Sequence, residues 1–562
     1  MAFPWRAIFV VSLVLSYYAV YIQPGWSVSK FLGTFAATWG SQTFLYGIWR
    51  TILYPKVFSP LRGLPEPKSP SFFMGHFKTI RSKPSGIPMR EWVATVPNDG
   101  IIRYLGAFNQ ERLLVTGPKA LAEVLVTRNY EFQKPGNIRF GLSRLLGVGI
   151  LLAEGDEHKF QRKNLMPAFA FRHVKDLYPG FYEKGREVVQ AMTKSVIAEA
   201  QTEASAQDPE KAKKTGSIDV GHWASRVTLD IIGLSGLGQD FGAIQNPDAE
   251  LSQTYRRVFR PSKQAQMLNL LTLFVPNWLV SKIPVQHNNN IAEAAQKIRD
   301  VCRDLIRQKK EKLARKELKD LDILSVALES GGFTDENLVD QLMTFLAAGH
   351  ETTATATTWA IYLLSKNPEV QARLRAEIRE NLPSIDSPQQ IASQDVDRLP
   401  YLNAVCSEVL RYYAPVPLTL REAAADTTIQ GRKVPKGTAI VLSPWATNFD
   451  ATMWGPDAHE FKPERWLLPK GGGGGPDDKK AASGGASSNY AFLTFLHGPR
   501  SCIGLAFARA EFACILATWV GRFEFALKNE EDRDERNLII KGGITARPEM
   551  GMHTYATIVD GW

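Results

Sequence analysis

The chain has 562 residues, of which 44% are hydrophobic, 22% charged and 10% aromatic; this supplies ample core and excludes a disordered, collagenous or multi-span membrane chain. Lys and Arg number 67 against 57 Asp and Glu, a net charge of +10 that suits a polyanion, a membrane surface or an acidic protein partner. The four cysteines, Cys302, Cys406, Cys502 and Cys514, form no C-x-x-C pair, which excludes a disulfide framework and a cysteine-rich zinc site and points to a reducing compartment. At roughly 150 residues per domain the length suggests three or four domains.

In chain order, residues 7–22 (AIFVVSLVLSYYAVYI) are almost wholly apolar, and no charge falls between Arg6 and Lys30. The stretch has about the length of a bilayer span and ends in aromatic residues with Trp26 just beyond, so it reads as a membrane anchor. No A-x-A cleavage site follows that would mark a signal peptide. A second uncharged stretch, 31–49, is diluted by Gly33, Thr34, Gly40, Ser41, Gln42 and Thr43 and is compatible with spanning, re-entering or lying at the interface. With one span, Lys30, Arg50, Lys56 and Arg62 outweigh Arg6 and hold the main body in the cytoplasm; with two, both ends are cytoplasmic and only Lys30 is outside. Pro60, Pro65, Pro67 and Pro70 then form a stiff connector.

The remainder shows no repeat of fixed period. Residues 201–217 (QTEASAQDPEKAKKTGS) read as a solvated insertion and 470–488 (KGGGGGPDDKKAASGGASS) as a glycine- and serine-rich loop. No G-K-[ST] follows the glycine run, and Gly147-Val148-Gly149 lacks the third glycine of a dinucleotide fingerprint. The basic run 303–319 mixes acids in at helical spacing, the pattern of a solvated helix face and not of a nucleic-acid patch. Thr334 is the expected N-cap of a helix running to Lys366, about 48 Å long. A second helix is expected from Pro400 to Tyr413, stopped by Pro415 and Pro417. A third starts just after Cys502 and is apolar on most sides. Between the last two, residues 421–443 alternate and turn at Gly431 and Gly437, a small sheet region.

The sharpest feature is Phe495-Leu-His-Gly498-Pro-Arg500-Ser-Cys502-Ile-Gly504. A glycine- and proline-rich loop delivers one cysteine to the start of a buried helix, where the dipole and unpaired N–H groups favour a thiolate and Arg500 adds positive charge. A buried structural cysteine is the plain alternative for any single Cys. The pattern F-x-x-G-x-R-x-C-x-G resembles the haem-binding signature of the cytochrome P450 family at every fixed position. The resemblance implies haem b as cofactor, with Cys502 as the axial thiolate on iron and Arg500 as a propionate partner. It further implies that Phe495 packs beside the loop, and that Gly498 and Gly504 allow close backbone approach.

Other motifs of the same family follow in order. Glu408-Val-Leu-Arg411 matches E-x-x-R; with Arg465 of Phe461-Lys-Pro-Glu-Arg465-Trp466 the resemblance implies a buried Glu408/Arg411/Arg465 network that holds the haem loop. Ala348-Gly349-His350-Glu351-Thr352-Thr353 matches [AG]-G-x-[DE]-T-T. Ala348 and Gly349 remove bulk from one helix face, and a mid-helix threonine can bond back to a carbonyl; Glu351 and Thr352 supply an acid and an alcohol for proton delivery. His350 occupies the motif's variable position and takes no role. Arg162, in His158-Lys-Phe-Gln-Arg162, and Arg421 correspond to propionate-binding cations, His158 standing where the family has tryptophan. By position, Phe140, Phe345, Ala348, Val416, Leu418 and Thr419 would line a substrate pocket.

The resemblance implies a mainly α fold with a small β region, the cytochrome P450 fold preceded by an N-terminal membrane anchor. The expected division is an anchor over 1–59, a proline-rich connector over 60–70 and one haem domain over 71–562, so the length prior overcounts. The implied activity is that of a haem-thiolate monooxygenase inserting one atom of O₂ into a lipophilic small molecule such as a terpenoid, polyketide or alkaloid. Electrons would come from an external NADPH-dependent flavoprotein reductase, because no flavin or NADPH motif follows Cys502. The expected setting is the endoplasmic reticulum membrane, with the catalytic domain facing the cytoplasm, membrane lipid as a partner and no nucleic acid. Alternatives are a fatty-acid hydroxylase of the same family, a reductase-independent haem-thiolate isomerase or dehydratase, and a non-catalytic haem-binding protein; Glu351-Thr352 argues against the isomerase.

Overall fold

The structure, a computed structural model, describes residues 4–22, 27–68, 70–202, 214–259, 263–272, 275–315, 317, 322–467, 483–542 and 544–562. Most of both expected insertions, 203–213 and 468–482, lies outside the described residues. The chain divides into two compact units, one of residues 1–83, 91–133 and 419–443, the other of 84–90, 134–418 and 444–562. Twelve strands are present among the described residues: β1 Ile101–Leu105, β2 Glu111–Val115, β3 Phe132–Gln133, β4 Thr215–Asp219, β5 Thr419–Ala423, β6 Thr427–Ile429, β7 Arg432–Val434, β8 Ala439–Leu442, β9 Phe523–Leu527, β10 Ile540–Gly542, β11 Ala546–Pro548 and β12 His553–Ile558.

The first unit begins with two packed helices, Trp5–Ile22 and Val28–Ile48, and continues as a π-helical segment, Trp49–Phe58. Its sheet has the order β1-β2-β8-β5-β3. β1 pairs antiparallel with β2 (Ile101 opposite Val115), β2 runs parallel to β8, and β8 pairs antiparallel with β5. The β6–β7 hairpin turns through Gln430 and Gly431, both at positive φ (49° and 74°), the turn whose twist matches its strands. The proline segment does not run free. Leu61 and Leu64 are buried, Arg103 N–H donates to the Pro65 carbonyl at 2.8 Å, and the Arg103 guanidinium donates to the Pro55 carbonyl at 2.6 Å while pairing with Glu111 at 2.8 Å.

The second unit is built around the long helix Asp335–Lys366, whose N-cap Thr334 accepts from the Asn337 N–H at 3.3 Å. It is buried on nearly every side, as its small and apolar residues dictate. The helices Pro400–Tyr412 and Leu505–Arg522 pack against it. Trp359 of the long helix stacks flat on Tyr413 at 3.9 Å and donates its indole N–H to the Ala546 carbonyl at 2.8 Å. Gly147 and Gly149 serve this packing and not phosphate binding, because a Cβ on either would strike Asp340 or Thr344 of the long helix. A second sheet has the order β4-β12-β9, and β10 pairs with β11.

Two local expectations change. Thr215–Ser217, expected in a solvated insertion, belong to β4 and pair with β12; alternate residues turn inward and Gly216 lies close over Val196, so few large apolar residues are needed. In the basic run, Arg303, Arg307 and Lys310 pair on the surface with Glu336, Asp304 and Asp335. Lys309 departs from it, being buried in an ion pair with Asp322.

Candidate active site

The cysteine loop is shaped by backbone. Gly498 has φ 74°, Leu496 also sits in the left-handed region at φ 56°, and the Cys502 N–H donates to the Phe495 carbonyl at 2.8 Å. These bonds bring Cys502 to the first turn of the helix Leu505–Arg522. Gly504 has φ −84°, and a Cβ added there would meet Phe169 at 3.8 Å and Cys502 Sγ at 4.0 Å. Neighbouring protein does not force glycine at that position.

Of the four cysteines only Cys502 is exposed. Desolvation nevertheless dominates its thiol pKa and pushes it up, with the Gly504 N–H and Arg162 acting in the opposite direction. Burial also raises the other three thiols, Cys302 to about 12. The cation acting on Cys502 is therefore Arg162, not Arg500 as the sequence suggests.

The loop is held from below by Glu408, which is fully buried with Arg411. Its carboxylate accepts from Arg411 Nε and Nη2 (both 2.8 Å), Arg465 Nε (3.0 Å), the Lys462 N–H (2.8 Å) and Trp466 Nε1 (2.9 Å). Arg411 also donates to the carbonyls of Asn448, Ala458 and Glu460. The sequence gives no sign of Asn448. Its amide donates to the Arg411 carbonyl and to Thr494 Oγ1 (both 2.9 Å) and accepts from the Leu493 N–H at 2.8 Å, joining the Glu408 helix to the run that leads into the cysteine loop.

On the long helix, Ala348 is exposed and Gly349 and Thr352 half-buried, while flanking residues are buried. Thr352 Oγ1 donates back to the Ala348 carbonyl at 2.7 Å. Gly349 makes room for Ile232, which a Cβ would meet at 2.8 Å, so of these two small residues the exposed one is Ala348. Phe345, one turn earlier, meets Phe169 at 5.3 Å, and Phe169 in turn reaches Gly504. Glu351 faces elsewhere: it is buried and accepts from Thr545 Oγ1 (3.0 Å) and pairs with Arg547 (3.1 Å). That partnership, with residues almost 200 positions away, leaves no signal in the sequence. His350 is buried, bonded to the Leu346 carbonyl and set against Tyr255, a packing role. Burial pushes the Glu511 carboxyl well above its usual range beside Thr353.

A cationic cluster borders the loop. Arg162 donates to the Ser501 carbonyl at 2.6 Å, and Arg500 pairs with Glu154, which also accepts from the Lys134 N–H. His158 is buried, and its pKa is lowered to about 4 by desolvation first and then by Arg500, Arg162 and Lys134. Arg421 lies on β5 in the other unit, bonded to Thr419 Oγ1 and the Leu420 carbonyl. Phe140 is exposed on the helix Gly136–Leu146, Phe345 is buried, and Val416, Leu418 and Thr419 are half-buried.

The family model for cytochrome P450 matches residues 65–553. The chain belongs to the cytochrome P450 family. It is 47% identical to cytochrome P450 monooxygenase FUM15 of Gibberella moniliformis, over 89% of each chain. It is 46% identical to cytochrome P450 monooxygenase sphH of Aspergillus fumigatus, over 97% of each. With cytochrome P450 monooxygenase ALT8 of Alternaria alternata it shares 43%, over 93% of this chain and 95% of that one. The chain is thus a P450 monooxygenase, an enzyme whose haem iron is ligated by a cysteine thiolate.

The residues present fit that cofactor. The sulfur is exposed, no side chain at Gly504 stands against it, and His158 feels three cations, Arg162, Arg500 and Lys134, against one carboxylate, Glu154, an excess suited to the two propionates. The thiol is raised in the free protein, and a coordinated metal ionises such a thiol outright.

Replacing Asn448 by Leu leaves buried partners unsatisfied and is expected to lower stability by at least about 2 kcal/mol, read as a denaturant midpoint shift with weakened haem retention. Folding holds His158 neutral down to about pH 4, against an ordinary 6.5. Between these values the unfolded chain binds the proton and the folded chain does not, so stability falls as pH drops from about 6.5 to about 4. In the haem-free protein His158→Asn is expected to flatten that limb of the stability–pH curve.

Proposed function

We propose that this P450 inserts one oxygen atom from O₂ into a lipophilic small molecule of the terpenoid, polyketide or alkaloid kind. Electrons come from an NADPH-dependent flavoprotein reductase, and the protein sits on the endoplasmic reticulum membrane with its catalytic domain in the cytoplasm. The observation that carries this reading is the pairing of one exposed cysteine, just ahead of a buried helix, with a long helix that in its otherwise buried middle is exposed at Ala348 and half-buried at Gly349 and Thr352. The relatives' shared description as monooxygenases supports the reaction class, and the net charge of +10 suits an acidic reductase face and an anionic membrane surface.

Haem bound through the Cys502 thiolate supplies the oxygen chemistry, the thiolate's electron density favouring O–O cleavage. The protein holds that sulfur through the Cys502-to-Phe495 bond and the Glu408 network, and Arg162, Arg500 and His158 receive the propionates, His158 as a neutral donor. Thr352 presents a hydroxyl whose own proton is held by the Ala348 carbonyl, leaving its lone pairs free to accept from an incoming water. Glu351, tied to Arg547, which is 32% exposed, connects the interior to the surface and resupplies protons. Phe345, Ala348, Val416 and Leu418 contribute the apolar walls that exclude water.

Two measurements test the reading. NADPH consumption in microsomes with candidate lipophilic substrates is expected to require added reductase; turnover that ignores reductase contradicts the monooxygenase assignment. Thr352→Ala is expected to lower turnover about 10²-fold and Thr352→Ser to restore most of it, the size of effect typical of a positioned proton carrier.

A further inference from the structure

The two N-terminal helices invert the polarity of a soluble helix pair. On Trp5–Ile22 the buried residues are Ile8, Ser12, Ser16 and Val20, four apart along one stripe. On Val28–Ile48 the half-buried stripe includes Thr34, Thr38 and Gln42. The stripes meet through side-chain hydrogen bonds, Gln42 Nε2 to Ser12 Oγ at 3.0 Å and Ser16 Oγ with Thr38 Oγ1 at 3.1 Å, and Ser16 also donates to the Ser12 carbonyl at 2.6 Å. As the first helix advances by four residues the partner on the second retreats by four, the signature of an antiparallel pair. The outer faces are apolar: Val10, Val14, Tyr18, Leu32, Trp39 and Phe44 are exposed.

We propose that both helices cross the membrane as a hydrogen-bonded hairpin whose outer surface is covered by lipid. In a bilayer, polar side chains are tolerated when they bond to one another between helices, and this pair buries its serines, Thr38 and Gln42 in that seam. The dilution of residues 31–49 by polar residues, which leaves the second helix too polar to qualify alone, is thereby accounted for. Eighteen and 21 residues give about 27 and 31 Å, close to the hydrocarbon thickness. In an antiparallel pair Trp5-Arg6 and Trp49-Arg50 fall at the same level, where Trp49 packs with Phe58 at 4.9 Å and Lys56 and Arg62 follow. The other end carries only Lys30. This asymmetry places Trp5 and the catalytic body together on the cytoplasmic side, and the facing helix ends, Ile22 and Val28, across the membrane. The inference rests on the membrane setting proposed above and adds the number of spans.

The chain contains no N-x-[ST] sequence, so an introduced glycosylation acceptor reports location without background. In the full-length protein in yeast microsomes, an acceptor segment inserted between Pro24 and Gly25 is expected to be glycosylated and one placed before Met1 is not. The reverse pattern means a single span and overturns the proposal while leaving membrane attachment intact. Glycosylation at neither site with retention after alkaline carbonate means that neither helix crosses, and also overturns it. Glycosylation at neither site with release by carbonate overturns both the hairpin and the membrane setting. The double variant Ser12→Leu with Ser16→Leu keeps the first helix apolar but removes the cross-helix partners of Thr38 and Gln42. It is expected to reduce glycosylation of the inserted acceptor at least about threefold; unchanged modification contradicts the seam.

Discussion

Everything around the cysteine depends on one buried carboxylate. Glu408 is fully enclosed and its two oxygens accept five hydrogen bonds, three from the guanidinium groups of Arg411 and Arg465, one from a backbone N–H and one from an indole. A buried charge of this kind is tolerable only when every lone pair is satisfied and counter-charge is at hand; removing one partner typically costs 3–5 kcal/mol. The consequence is geometric. Arg411 is pinned from one side and spends its remaining donors on the carbonyls of Asn448, Ala458 and Glu460, and Asn448 passes that rigidity to Leu493 and Thr494. The loop bearing Cys502 starts there.

Rigidity below the sulfur is matched by economy above it. In its buried middle the long helix is exposed at Ala348 and half-buried at Gly349 and Thr352, and its acid is turned toward Thr545 and Arg547. Alcohol and acid therefore occupy different surroundings although they are neighbours in sequence: the hydroxyl is half-buried and bonded to its own helix, whereas the carboxylate is buried and paired with the partly exposed Arg547. Beside the loop, burial first and then Arg500, Arg162 and Lys134 lower the pKa of His158, so an anionic group brought there meets an excess of positive charge.

The parts legible in the sequence are those whose chemistry demands fixed residue types at short spacing. The cysteine loop, the Glu408-to-Arg411 step and the long helix with its Thr334 cap belong to this class, because each reads out over one or two turns. Asn448 was illegible because its partners lie about 40 residues away on either side, and Arg547 because it meets Glu351 only after the chain returns through β11. Lys309 looks like its solvated neighbours in charge and spacing, and only the approach of Asp322 makes it a core residue. The polar residues of the second helix dilute its hydrophobicity when read alone; their purpose appears when the first helix is laid against them. Arg500 illustrates the opposite error, since proximity in sequence suggested that it acts on Cys502, whereas Glu154 engages it.

The central claim is that Cys502 is the thiolate on haem iron and that the loop exists to hold it there. The direct test is the difference spectrum of the dithionite-reduced protein with carbon monoxide, recorded for the native chain and for Cys502→Ser in the same membranes. The native protein is expected to show the red-shifted band of thiolate-ligated ferrous haem, and Cys502→Ser to lack it. A native spectrum without that band, or a Cys502→Ser protein that retains it, would contradict the account.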